Sequence, residues 1–248
     1  MPSETPVALV TGAAHRLGEQ TARTLHARGW NLVIHYRSRE EQANSLIEQM
    51  NRQRPDSAFA LQADLSRTAG LDQLATDTVE HWGRLDALVN NASVFYPTPT
   101  ANATEDDWDT ILNTNLRAPF FLLQACLTEL RRNHGSVVNL IDIYSERPID
   151  DHPLYCASKA GLAALTRSWA KDLAPDVRVN GVSPGAILWP EGEAEMGSSA
   201  QRAILDKTPM ARTGNPDDIA ETIAFLICDA PFITGQIIAV DGGRSLNM

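Results

Sequence analysis

The chain has 248 residues, 43% of them hydrophobic, and a formal net charge of −10. Length and apolar content fit one sizeable α/β core and exclude a disordered chain. The acidic balance, with a pI near 5.0, argues against nucleic acid or an anionic membrane as a partner, so an anionic ligand must be held by a local cluster of arginines.

Taken in chain order, the N-terminal MPSETPVALV lacks the basic segment of a signal peptide, and no apolar run reaches membrane-spanning length. A soluble cytoplasmic protein is expected. Short β-branched runs at 7–10, 31–36, 58–62, 87–90, 136–141, 178–182 and 236–240 read as strands. Amphipathic segments at 17–28, 40–52, 71–82, 108–130, 155–173 and 217–228 read as the helices between them. Such alternation predicts parallel strands joined by right-handed crossovers, with helices on both faces. No linker or repeat divides residues 1–248, so one doubly wound domain of about seven strands is expected. The acidic stretch ILWPEGEAEMGSSA, 187–200, follows a strand's carboxyl end, where loops border the ligand crevice of open sheets, and reads as a substrate loop.

Three cysteines, Cys126, Cys156 and Cys228, form no CxxC pair and suit structural thiols in a reducing compartment. The histidines lie apart; His152 and Cys156 share helical spacing, but two potential ligands make no metal site, and no metal is expected.

VALVTGAAHRLG sets a strand before a glycine turn and a helix. Gly12 permits the turn, Gly18 lets the helix approach the sheet, and the helix N-terminus offers N–H groups to a pyrophosphate. The usual middle glycine is replaced by Arg16. NAD sites place an acid at the end of the second strand, about 20 residues on, for the ribose 2′-OH. Here that end reads Tyr36-Arg37-Ser38, a cation and a hydroxyl suited to a 2′-phosphate, which favours NADPH over NADH.

Two further features carry chemistry. Tyr155 and Lys159 stand four apart on one helix face, and the ammonium is expected to lower the phenol's pKa and ready it for proton transfer. Asp142 follows the apolar run VVNLI, where a carboxylate is costly unless something charged or hydrogen-bonding meets it. Burial would raise its pKa and Lys159 would lower it, and sequence leaves the balance open.

Together these residues resemble the short-chain dehydrogenase/reductase family over essentially the whole chain. TGAAHRLG is similar to its TGxxxGxG turn, LQADLS to its adenine-contacting segment with Asp64 and Leu65, and LVNNAS to its NNAG segment with Asn91, Ala92 and Ser93. NTNL matches the family's catalytic asparagine at Asn115, YCASK its YxxxK motif, RVNGVSPG its Pro184–Gly185 turn by the nicotinamide, and GQIIAVDGG its closing strand. The resemblance implies a Rossmann-type fold, hydride transfer from a nicotinamide cofactor, contacts from Gly12, Arg16, Leu17 and Gly18 to that cofactor, a ribose contact from Lys159, and commonly a homotetramer.

Arg16, Ser93 in place of the NNAG glycine, and Asp142 in place of the catalytic serine depart from the general pattern and resemble the pteridine reductases. That subgroup implies a pterin stacked between nicotinamide and Phe95. It also implies contacts from Arg16 and Ser93 to substrate and cofactor phosphate, and Asp142 managing protons with Tyr155. A carboxyl can accept from a pterin's N–H edge or relay a proton toward its C=N bond, whereas a ketone needs only a hydroxyl to hold its oxygen. The expected activity is NADPH-dependent reduction of pterins or dihydrofolate. A carbonyl reductase is the alternative within the family, and an idle NADPH sensor the alternative outside it.

Overall fold

The computed structural model describes residues 4–189 and 197–247. Seven strands form one parallel sheet in the order β3-β2-β1-β4-β5-β6-β7. They are β1 (Val7–Val10), β2 (Asn31–Tyr36), β3 (Ala58–Gln62), β4 (Ala87–Asn90), β5 (Ser136–Leu140), β6 (Arg178–Pro184) and β7 (Ile237–Val240). The helices are α1 (Arg16–Ala27), α2 (Glu40–Gln53), α3 (Leu71–Trp82), α4 (Glu105–Leu112), α5 (Ala118–Arg132), α6 (Pro153–Leu173), α7 (Ser198–Asp206) and α8 (Pro216–Ala224). The architecture is the Rossmann-type doubly wound sheet expected from the alternation of strand and helix patterns.

Because β-strand side chains alternate, the continuously apolar strands feed two cores at once. Val7 and Leu9 of β1 face one core with Leu74 of α3, Leu122 and Cys126 of α5, and Leu162 of α6. Ala8 and Val10 face the other with Leu25 of α1, Leu46 of α2, and Ile219 and Ile223 of α8. The strand order turns at β1, which pairs with β2 on one side and β4 on the other. That reversal opens a crevice at the carboxyl ends of β1 and β4.

Three boundaries differ from expectation. The helix expected over 108–130 starts earlier, at α4, where Thr104 and Asp107 form a capping box. It is then interrupted by a π turn at Asn113–Arg117 before α5. The helix expected over 217–228 likewise ends in a π turn at Phe225–Asp229. The stretch expected as an irregular loop ends in a helix, since Ser198 to Ala200 open α7; residues 190–196 of that stretch lie outside the described residues.

Candidate active site

The turn after β1 is shaped by contacts the sequence motif only hints at. Gly12 has φ +62, and a Cβ there would come within 3.1 Å of Ala92 Cα. Gly18 is more confined: its Cβ would lie 2.4 Å from Gly12 O and 2.5 Å from Asn91 Nδ2. Asn91 ties this turn to β4, its Nδ2 donating to Thr11 O at 2.7 Å and Gly12 O at 3.1 Å. Arg16, in the place of the middle glycine, adopts φ +54, so the turn keeps a left-handed residue there despite the side chain.

His35, in the middle of apolar β2, completes the turn and was not singled out from sequence. Its Nδ1 accepts from Gly12 N at 3.0 Å and its Nε2 faces Ala63 O at 3.1 Å. A carbonyl can only accept, so the proton sits on Nε2 and the ring is neutral. Burial agrees, holding the His35 pKa down to about 4. A histidine inside the run NLVIHY was the available signal.

One crevice collects the expected nucleotide residues. Gly12, Arg16, Leu17, Tyr36, Arg37 and Ser38 line it on one side, and Asp64, Leu65, Asn91, Ala92 and Ser93 on the other. Gly18 lies beneath the turn. Asp64 does not reach across: its Oδ1 accepts from Ser66 N at 3.0 Å and Ser66 Oγ at 2.8 Å, which lowers its pKa. The tight glycine turn, the start of α1 and exposed Arg37 beside Ser38 suit the pyrophosphate and ribose of a nicotinamide dinucleotide.

The crevice continues into a cleft of about 660 Å³ that brings Phe95, Asp142, Tyr155, Lys159, Pro184 and Gly185 together with Arg16 and Ser93. Asp142 lies two residues past β5 and caps a short 3₁₀ turn, Ile143–Ser145, its Oδ1 accepting from Tyr144 N at 2.9 Å. Its other oxygen, Oδ2, accepts from Tyr155 Oη at 2.7 Å. That bond answers the cost of a carboxyl behind an apolar strand.

Electrostatics correct one expectation. The Tyr155 phenol lies well above its ordinary pKa, first through burial and then through the neighbouring Asp142. The pull of Lys159, whose Nζ donates to Leu140 O at 2.9 Å and sits 5.7 Å from the Tyr155 ring centroid, does not offset that rise. Helical spacing put the two side chains on one face but could not say where the ammonium points. Burial brings the Lys159 pKa down to about 8, against the pull of Asp142. For Asp142 itself burial wins, raising its pKa despite hydrogen bonds from Tyr144 and Tyr155 and the charges of Lys159 and Arg244.

Asn115 sits in the π turn before α5 and is buried. Its Oδ1 accepts from Val94 N at 2.8 Å and Ser93 Oγ at 3.1 Å, while its Nδ2 donates to Val94 O at 3.0 Å and Ser158 Oγ at 3.2 Å. Ser158 Oγ donates in turn to Tyr155 O at 2.7 Å. Asn115 thus joins the Ser93 segment to the Tyr155 helix, and Ser158 is a link that sequence reading missed. π turns inserted in helices often mark functional sites.

Phe95 is packed and presented at once. His152 stacks on it with centroids 4.5 Å apart and planes 11° apart, and Tyr155 meets its edge at 4.7 Å. Arg16 Nη2 donates to Trp189 O at 2.9 Å, bridging the glycine turn to the segment after β6. Among the described residues, no group of three His, Cys, Asp or Glu is placed to hold a metal ion. No helix among them is long and apolar enough to cross a membrane.

The family model described as Enoyl-(Acyl carrier protein) reductase matches residues 12–245. The chain belongs to the short-chain dehydrogenase/reductase family. It is 36% identical to Pteridine reductase 1 of Leishmania tarentolae, covering 97% of this chain and 96% of that protein. It is 35% identical to 3-oxoacyl-acyl-carrier-protein reductase FabG of Staphylococcus aureus, covering 96% and 98%. The FabG of Staphylococcus epidermidis is 33% identical over 95% and 97%. The chain is accordingly an oxidoreductase of a family whose reductases use NAD(P)H.

Proposed function

We propose that the protein is an NADPH-dependent pteridine reductase. Asp142 carries the reading: a carboxyl bonded to Tyr155 Oη, in a cleft bordered by Phe95, suits a flat heterocycle with N–H donors better than a ketone. Arg37 and Ser38 support NADPH, as a guanidinium and a hydroxyl beside a ribose favour a 2′-phosphate.

When bound in this crevice, the cofactor would supply a hydride for a ring C=N. The chain's own residues manage the rest. Phe95, backed by His152, offers a flat apolar face on which a pterin lies. Tyr155 Oη gives the proton that the reduced nitrogen needs, and its high pKa keeps the phenol protonated until then. Asp142, bonded to that phenol, takes up a proton from solvent and passes it to the phenolate left behind, and its raised pKa brings that uptake nearer neutrality. Lys159 holds the ribose, and Asn115 keeps the Ser93 segment in register with the Tyr155 helix. Arg16 and Ser93, on the cleft wall, contact the substrate and the cofactor phosphate.

A second reading, a ketoacyl reductase, is favoured by the FabG relatives, whose identities nearly match that of the pteridine reductase. NADPH oxidation measured against biopterin, dihydrobiopterin, dihydrofolate and an acetoacetyl thioester separates the two. Wild-type turnover of pterins is expected. Asp142→Ser is expected to lower pterin kcat/KM by roughly one to two orders of magnitude, the cost of a buried N–H losing its acceptor, and to spare or raise thioester turnover. An unchanged pterin-to-thioester ratio would make Asp142 a structural carboxyl and overturn the assignment.

A further inference from the structure

The cleft holds a second phenol that the proposed chemistry does not use. Tyr144 lines the same cleft as Tyr155 and Asp142, and its backbone N–H is the group that fixes Asp142 Oδ1. Its hydroxyl is met from below by Arg244, whose Nη2 donates to Tyr144 Oη at 3.5 Å. That bond is long, but the guanidinium itself is firmly seated. Arg244 is only 8% exposed, and its Nη1 donates to Ile204 O in the last turn of α7 at 3.1 Å. The C-terminal segment that carries it is anchored by Met210 N donating to Gly242 O at 3.1 Å and by Ser245 N donating to Asp241 Oδ2 at 2.8 Å.

A hydroxyl that accepts from a guanidinium has its own proton free to point elsewhere. On the cleft side of Tyr144, elsewhere is the space that the substrate must occupy. We propose that Tyr144 is a substrate-binding residue that donates its hydroxyl proton to an acceptor on the bound substrate, and that Arg244 is the positioning residue that holds it there. The acceptor is a carbonyl oxygen or an unprotonated ring nitrogen, which a pterin and a ketone both present. The inference therefore does not depend on which of the two is reduced. Arg244 also joins α7, beside the cleft at Ile204, to the Asp142 turn, so the α7 side and the proton-handling side of the cleft share one cation.

Tyr144→Phe keeps the ring and removes only the hydroxyl. Initial rates with NADPH are measured against dihydrobiopterin and an acetoacetyl thioester, with nucleotide affinity read separately by NADPH fluorescence. Tyr144→Phe is expected to raise KM for the reduced substrate about five- to twentyfold, as loss of one hydrogen bond would, with the loss falling on KM more than on kcat. NADPH affinity is expected to hold. Arg244→Met is expected to give the same KM loss, Arg244→Lys to recover part of it, and the double variant to lose no more than either alone, since both act on one bond. An unchanged KM in Tyr144→Phe, or additive losses in the double variant, overturns the proposal. If Arg244→Met does not fold, the KM of Tyr144→Phe decides alone. Turnover of the thioester but not the pterin would sink the pteridine reading, and the KM comparison would then be made on the thioester.

Discussion

At the residue scale, the site is governed by three buried titratable groups whose pKa values move in ways that spacing alone does not reveal. Asp142 and Tyr155 both shift upward and share one short hydrogen bond, while Lys159 shifts downward. For Lys159 the sign has a direct consequence. Its ordinary pKa of 10.5 falls to about 8, so the folded protein releases that proton before the unfolded chain does. Its buried charge costs stability below about pH 8, and that cost is relieved as pH rises toward 10.5. In the proposed site Lys159 holds the cofactor ribose, and its ammonium is lost as pH rises through about 8. NADPH affinity is therefore expected to weaken as pH rises through about 8, and Lys159→Arg, which stays charged, is expected to flatten that dependence. Fluorescence titration of NADPH across that range checks it; a flat wild-type profile would remove Lys159 from the ribose site. Tyr155→Phe is expected to abolish most of kcat with NADPH affinity largely intact, and near-full turnover would transfer the donor role to Asp142 or water.

At the scale of elements, the junction of β1, α1 and β2 decides both the nucleotide site and part of the stability. Arg37 at the end of β2 is exposed and lines the crevice beside Ser38. Arg37→Asp is expected to weaken NADPH by about 1.5–3 kcal/mol, the range for a charge-assisted bond, and to spare NADH. Equal weakening of both nucleotides would remove the 2′-phosphate assignment. His35 acts one residue pair upstream and couples the same turn to pH. Its folded pKa of about 4 lies below its ordinary 6.5, so only the unfolded chain binds the proton between those values. Stability is accordingly lost as pH falls from 6.5 to about 4, by up to about 3 kcal/mol. His35→Asn, which does not titrate, is expected to lower stability near neutrality while losing less on acidification than the wild type. Urea unfolding at neutral and mildly acidic pH tests this, and identical acid losses in the two proteins would refute it.

For the whole molecule, one guanidinium, that of Arg178 on β6, ties the sheet to the π turn that follows α8. Arg178 Nη1 donates to Leu226 O at 2.6 Å and Ala230 O at 3.0 Å, and its Nη2 donates to Ile227 O at 2.9 Å. These carbonyls close the π turn that follows α8, where helix ends otherwise leave acceptors unmet. Arg178→Met is expected to cost about 2–4 kcal/mol and to lower Tm by roughly 5–15 °C, since several half-buried acceptors lose their partner together. Calorimetry checks the figure. A Tm within about a degree of wild type would mean that water replaces the guanidinium at little cost. By contrast, the pair Arg52–Glu48, both well exposed, is expected to contribute little.

Periodicity along the chain determined the seven strands and the helices between them, and its chemistry singled out residues that the fold brings to the two crevices. Apolar runs such as VALV and NLVIHY must be buried, and Gly12, Arg37, Asp142, Tyr155 and Lys159 are residue types with few alternative uses at those spacings. Local patterns could not reach the links made between distant segments. His35 bonds to Gly12 across 23 residues, Asn115 to Val94 across 21, and Arg244 to Tyr144 across 100. Each pairing depends on how strands and helices pack, not on neighbours in the chain. The pKa directions belong to the same class. Desolvation is set by everything that surrounds a side chain, so only the tertiary structure decided that Lys159 points to Leu140, that burial outweighs charge at Asp142, and that burial and the Asp142 carboxyl together raise Tyr155.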